Sequence, residues 1–178
     1  MMPIGPLMIE HRLIERMIKL MKAELEEIKS GHKVDPGFVD TAIDFIRMYA
    51  DRCHHGKEEG ILFRELKKKE LSAEHEKIME DLMDEHARGR EIVRNLSVAL
   101  QKYRQGDLKS RAEIAKFLDD LVNFYPAHIA KEDKKFFLPV MGHFNQQEQE
   151  AMLQESWEFD RKLIHEKYVM IVETFEKK

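Results

Sequence analysis

The sequence predicts an all-α chain, and three observations carry that prediction. Charged residues fill 36% of the 178 positions while glycine and proline number only 8 and 5, a balance that favours long solvated helices joined by short turns. A histidine and a glutamate recur four residues apart, at His11/Glu15, His54/Glu58, His55/Glu59 and His128/Glu132, and residues i and i+4 share one face of a helix. The pattern is also duplicated. His55-x-x-x-Glu59-x-x-x-Phe63 returns 73 residues later as His128-x-x-x-Glu132-x-x-x-Phe136, and Glu10-His11 returns 75 residues later as Glu85-His86. Two similar helical hairpins are therefore expected to face each other, each giving one histidine from its first helix and a His-x-x-x-Glu from its second. The length suits a single domain, 1–178, with a four-helix core over about 7–140 and a fifth helix over about 146–176.

The first helix is expected from about Leu7 to Lys29, after Pro6 and before Gly31, which suits a C-terminal stop. Its inward line is Leu7, His11, Ile14, Ile18, Met21, Leu25 and Ile28, an apolar seam broken by His11, with Glu15 at its edge. Asp35-Pro36 opens the second helix, the aspartate capping and the proline at the first helical position, and the helix should reach about Lys68. At 3.6 residues per turn, Phe45, Met48, Arg52, His55, Glu59, Leu62 and Leu66 share a stripe, which favours His55/Glu59 over His54/Glu58 as the inward pair. Gly56 and Gly60 cost helix propensity but allow another helix or a ligand to approach closely.

Ser72 caps the third helix, which runs to about Tyr103 before Gly106 with Met79, Leu82, His86, Gly89, Val93, Leu96 and Leu100 inward. Gly89 serves either close packing or room for a small ligand. Ser110 with Glu113 reads as a capping box for the fourth helix, whose seam is Ile114, Leu118, Leu121, Tyr125, His128, Glu132 and Phe136. Pro126 removes a backbone hydrogen bond just before His128 and predicts a kink there. Tyr125 is either a core aromatic or a donor behind His128. After Pro139 and Gly142, Asn145 and Glu148 form a capping box for a fifth helix. Its apolar side, Leu153, Trp157, Ile164, Tyr168, Ile171 and Phe175, either closes over the bundle or makes a homodimer face, and His165 stands alone at the surface.

The net charge of -4 is spread along the chain, and the one dense basic run, Lys67-Lys68-Lys69, falls at a helix end where the dipole favours lysine. No nucleic-acid partner is expected. Cys53 is the only cysteine, so no intrachain disulfide can form, and at about 200° around the helix from His55 it reads as a packed small residue. With no signal-like N-terminus and no apolar run of membrane length, the expectation is a cytoplasmic protein with no membrane partner.

Six side chains, His11, His55, Glu59, His86, His128 and Glu132, are thus expected to converge inside the bundle. Without partners each would cost several kcal/mol, and a metal ion is the natural partner. Each half supplies two histidines and a carboxylate, the donor set of a non-haem iron facial triad, while the lack of thiolates argues against structural zinc. If both carboxylates bridge a metal pair, the six side chains supply about eight of the roughly twelve bonds that two octahedral ions want. Water, an oxo or hydroxo bridge, or a small substrate must complete the site.

The stretches Glu10-His11-Arg12-Leu13-Ile14-Glu15, His54-His55-Gly56-Lys57-Glu58-Glu59-Gly60-Ile61-Leu62-Phe63, Asp84-Glu85-His86-Ala87-Arg88-Gly89-Arg90 and His128-Ile129-Ala130-Lys131-Glu132-Asp133 resemble, in order, the motifs of hemerythrin-like HHE cation-binding proteins. The resemblance covers about residues 7 to 140. It implies an up-and-down four-helix bundle holding a carboxylate-bridged pair of iron ions, with His11, His55, Glu59, His86, His128 and Glu132 as ligands. The chain departs from the oxygen carriers at Arg90, where they place a second histidine one turn after the one matching His86, and their spacing would select Asp133 over Glu132. A four-histidine, two-glutamate set is instead similar to the repair-of-iron-centres proteins. The implied function is binding of, or reaction with, O2, NO or peroxide in oxygen or nitrosative stress response or sensing. A non-catalytic iron- or oxygen-responsive module is the alternative, and a metal-free helical interaction protein the third reading.

Overall fold

The computed structural model describes the backbone of residues 1–176 and the side chains of residues 1–163. Side-chain expectations for Ile164, His165, Tyr168, Ile171 and Phe175, and with them the dimer face, lie outside the described side chains. Five helices form and no strand is present among the described residues: α1 (Ile4–Lys29), α2 (36–66), α3 (Ala73–Arg104), α4 (110–140) and α5 (Gln146–Glu176). The first four make an up-and-down bundle and the fifth lies along α2.

Local chemistry accounts for most boundaries. Asp35 caps α2 by accepting from the Gly37 and Phe38 N–H groups, with Pro36 at the first helical position. The Ser72 hydroxyl accepts from the His75 N–H at the start of α3. Asn145 and Glu148 satisfy each other's N–H groups, both at 3.0 Å, the capping box expected ahead of α5. Gly31 and Gly106 end α1 and α3 at φ of 100° and 95°, the left-handed region that glycine tolerates. The capping box at Ser110 does not form. Ser110 is the first helical residue, its hydroxyl donates to the Asp107 carbonyl, and Glu113 pairs with Lys102 instead. Pro126 lies inside Ser110–Lys131 without ending the helix.

Three segments depart from α-helical winding. In α2 the segments Ile46–His55 and Glu58–Phe63 are π-helical, and in α4 so is Glu132–Phe136. Gly56 N–H accordingly reaches back five residues to the Asp51 carbonyl, and Phe137 N–H reaches the Glu132 carbonyl. A π turn holds more residues than an α turn, so a face counted at 3.6 residues per turn drifts along the segment. Ahead of its histidines, the inward residues of α2 are Val39, Ala42, Ile43, Ile46 and Ala50, with Phe45 and Met48 only half-buried.

The core consists of two apolar clusters. One contains Ile14, Ile18, Ile46, Ala50, Val93, Leu118 and Tyr125; the other contains Leu7, Leu62, Phe63, Leu82, Phe136 and Phe137. Each of the four bundle helices passes from one cluster to the other through its histidine, so the polar side chains form a layer between two hydrophobic plugs. The fifth helix is pinned to α2 by Arg64–Glu155 at 2.8 and 2.7 Å and reaches the α2–α3 turn through Lys69–Glu148 at 2.6 Å. Midway, Phe159 sits on Gly56, where a Cβ would lie 2.9 Å from the ring, so that approach needs the glycine.

Candidate metal centre

Seven side chains meet in the polar layer: His11 from α1, His54, His55 and Glu58 from α2, His86 from α3, and His128 and Glu132 from α4. All are 0–2% exposed. Their donor atoms fall into two groups whose members lie within 4.8 Å of one another, His55, His86 and His128 in one, and His11, His54, Glu58 and Glu132 in the other.

Each imidazole is aimed by a carboxylate on its far nitrogen. Nδ1 of His11 lies 2.8 Å from Asp133, that of His54 2.9 Å from Glu10, that of His55 3.3 Å from Asp51, that of His86 2.7 Å from Glu59, and that of His128 2.8 Å from Glu85. These contacts place the proton on Nδ1 and point the Nε2 lone pair inward. All five Nε2 atoms, and both oxygens of Glu58 and of Glu132, are buried with no hydrogen-bond partner. They approach one another without hydrogen-bond alignment. Glu58 sets one oxygen 3.4 Å from His54 Nε2 and the other 3.4 Å from His86 Nε2, and Glu132 sets one 3.1 Å from His11 Nε2 and the other 3.3 Å from His128 Nε2. Both carboxylates thus turn one oxygen toward each histidine group.

Five of the six expected side chains are in the cluster; Glu59 is outside it. Its carboxylate, about a third exposed, binds His86 Nδ1 and Arg90 Nη2, both at 2.7 Å. The exchange is one of phase: Ile43, Ile46 and Ala50 continue at helical spacing to His54 and Glu58, whereas a stripe begun at Phe45 and Met48 selects His55/Glu59, and His55 joins His54 on the inward side. The histidine count is therefore five rather than four. Between Glu132 and Asp133 the structure is equally clear, since Asp133 stands behind His11 and pairs with Arg12. Glu15 is exposed and pairs with Arg12, as an edge residue would. Cys53 is buried outside the cluster, its thiol 3.4 Å from Asp160, and burial pushes it up to about 12. Tyr125 is buried in the apolar core with its ring centre 6.5 Å from that of His128. Gly89 packs on Phe124, and it also lines a cavity of about 170 Å³ that ends on His55.

The electrostatics are those of donors lacking an acceptor. Burial holds the His55 imidazole well below its ordinary range, with the neighbouring His86, His54 and His128 adding to it, and burial likewise lowers His54. At His11 and His86 burial also pushes down most strongly of any single cause, but Glu132 together with Asp133 at His11 and with Glu59 at His86 outweighs it, and both are raised. Burial and then the charge of Glu132 drive Glu58 well above the carboxylate range. At Glu132 burial is overcome by His128 and His11, and its range drops. Five inward lone pairs and two inward carboxylates in a dry layer fit a pair of divalent cations better than they fit each other.

The sequence matches the hemerythrin HHE cation binding domain over residues 2–163, nearly the whole chain. The chain belongs to the hemerythrin family. Compared with curated proteins and with solved structures, it finds no match. Within the HHE domain the duplication is now legible residue by residue. His11, Glu10, His54, Lys57, Glu58 and Glu59 in the first half stand where His86, Glu85, His128, Lys131, Glu132 and Asp133 stand in the second, at offsets of 75 in the first helix of each hairpin and 74 in the second. The supporting contacts repeat too: Glu10 backs His54 as Glu85 backs His128, and Glu59 backs His86 as Asp133 backs His11. His55 has no counterpart, for the equivalent position is the buried Ile129. The adjacent histidines of the HHGKEE run were the available signal for a fifth donor, since neighbouring residues of one helix can share a broad inward face, as the buried Ile92 and Val93 do in α3.

Proposed function

We propose that this chain holds two iron ions between five histidines and two bridging glutamates and uses them, in the cytoplasm, to bind or react with O2, NO or peroxide. The observation that supports it most is the convergence of five orphaned Nε2 atoms and four orphaned carboxylate oxygens in one buried layer. His11, His54, His55, His86, His128, Glu58 and Glu132 would hold the ions. If both glutamates bridge, the side chains supply about nine of the roughly twelve bonds two octahedral ions want, two of the five histidines falling on one side and three on the other. The two-histidine side is one donor poorer and is the natural place for an exogenous ligand.

Iron bound there supplies electron transfer to or from a small oxygen or nitrogen ligand. The chain's own contribution is orientation and exclusion. Five carboxylates fix the imidazole tautomers, Phe137 stacks on His11 and Phe63 on His86, and the two apolar clusters keep bulk water from both ends. Cavities of about 170 and 270 Å³ reach His55 and His128 on the three-histidine side. Among the described residues no helix is long and apolar enough to cross a membrane.

The test is spectroscopic. Anaerobically purified, iron-loaded protein is expected to change its visible spectrum on exposure to O2, NO or peroxide. Reversal on removal of the ligand would mark a binding or sensing module, and multiple turnover with a reductant would mark an enzyme. An iron-loaded protein unchanged by all three would refute the proposal.

A further inference from the structure

Behind each carboxylate that aims a cluster histidine stands a cation. Arg12 holds Asp133, Arg90 holds both Asp51 and Glu59, Lys131 holds Glu85, and Lys57 holds Glu10. Lys57 and Lys131 are equivalent in the duplication, yet their surroundings differ. The side chain of Lys131 is 27% exposed and has Glu85 alone, whereas that of Lys57 is 1% exposed and is shared between Glu10 and, at 2.7 Å, Asp160 of α5. Among the described residues, the fifth helix reaches the lysine of one half of the duplicated core and not that of the other. It does so at a place prepared for it, since Gly56 admits Phe159 one residue before Asp160.

We infer that Asp160 is a positioning residue of the metal centre, acting through Lys57 and Glu10 on His54, so that the fifth helix tunes the two-histidine side alone. This rests on the di-iron reading above. The ammonium of Lys57 divides its charge between two carboxylates. Without Asp160 it would lean wholly on Glu10, draw density from the oxygen that accepts from His54 Nδ1–H, and leave His54 Nε2 a poorer donor to the ion. Glu10, Cys53 and Asp160 lie together as the donors of a further metal site would, but the Lys57 ammonium already occupies the centre of that cluster, contacting Glu10 and Asp160. The cation of this cluster is the lysine.

The test compares Asp160→Asn with two controls. Asp160→Glu keeps the charge, and Glu155→Gln removes the exposed Arg64–Glu155 pair that also pins α5 to α2 without touching the relay. Iron uptake by the apo protein is followed against a competing chelator, and the loaded proteins are examined by Mössbauer spectroscopy. Asp160→Asn is expected to weaken one of two binding steps about 10-fold, the lower end for residues behind a metal ligand, and to shift the signal of one iron. Asp160→Glu should restore both steps, and Glu155→Gln should leave both unchanged. Two unaltered steps in Asp160→Asn, or equal weakening of both steps in Asp160→Asn and Glu155→Gln alike, would overturn the relay and leave the di-iron reading standing. A wild type that takes up no iron would overturn that reading, and the relay with it.

Discussion

The two halves of the bundle are near copies around the metal layer, and their sets of inward donors differ at one position. Where the first half carries His55, the second carries Ile129, one residue after the paired His54 and His128. The other inward donors recur at offsets of 75 or 74 residues, as do the carboxylates behind His11, His54, His86 and His128. A symmetric frame would give each ion two histidines; the extra imidazole gives one side three. Duplication supplies the container, and one substitution makes its two places unequal. The α2 helix accommodates the extra donor by winding as a π-helix through His55, whereas its counterpart Ile129 lies in the regular part of α4, just before Glu132.

The largest expected effects break what the halves share. Glu58→Ala and Glu132→Ala each remove an inward carboxylate that faces both histidine groups and leave several buried nitrogens without a partner, so both should lose iron outright on metal analysis. Glu59→Ala, which removes only the support behind His86, should cost about 10- to 100-fold in affinity. If Glu59→Ala loses all iron while Glu58→Ala keeps it, the assignment of the inward glutamate is reversed.

Stripping the metal comes next. The apo protein keeps nine unpaired buried ligand atoms, and a ligand at 1,000 times its Kd stabilises the folded state by about 4 kcal/mol, so the holo form should melt well above the apo form in calorimetry. Coincident melting curves would show that the layer is satisfied without metal.

His55→Ile makes the two halves alike. It should weaken the three-histidine side more than 10-fold by chelator competition and bring the two iron signals closer together. Two signals as distinct as in the wild type would mean that His55 is not the source of the inequality.

Acidity probes the residues that the halves have in common. His11 and His86 are equivalent, and in both the carboxylate contacts raise the imidazole above its ordinary value of about 6.5. The sign follows directly. In the apo protein these groups favour the folded state at low pH and lose that contribution as pH rises through their folded values. Metal binding must displace their protons, so affinity falls on acidification and the gap between holo and apo melting narrows as pH drops through the range at and above about 6.5. An affinity independent of pH between about 6 and 8 would count against His11 and His86 as ligands.

The smallest effect lies at the turns into the second helix of each hairpin. Asp35 caps α2 with two hydrogen bonds, while Ser110 only donates to a turn carbonyl. Asp35→Ala should cost about 1 kcal/mol in denaturant unfolding and Ser110→Ala less. Equal costs would mean that both helix starts are closed in the same way.

The fold was legible because it rests on signals that operate locally. The seams of α1 and α3 run at regular α spacing, so His11 and His86 could be placed by counting, and the caps at Asp35, Ser72 and Asn145 work through side chains adjacent to the backbone they satisfy. The site was legible where the inward phase of a helix is plain and obscured in α2, where it is not. A stripe begun at Phe45 and Met48, both only half-buried, passes over His54 and Glu58, while one begun at Ile43 and Ile46 reaches them. The Ser110 box does not form because Ser110 already lies within the helix, and Asp107 upstream accepts the Lys109 N–H instead. The Lys57–Asp160 contact joins residues 103 apart and depends on where α5 lies, which periodicity does not specify.

The central claim, two iron ions shared between five histidines and two glutamates, is tested most directly by metal analysis of anaerobically purified protein together with its Mössbauer spectrum. The account predicts about two irons per chain in two distinguishable environments. A chain carrying no metal, or a single zinc, would contradict it.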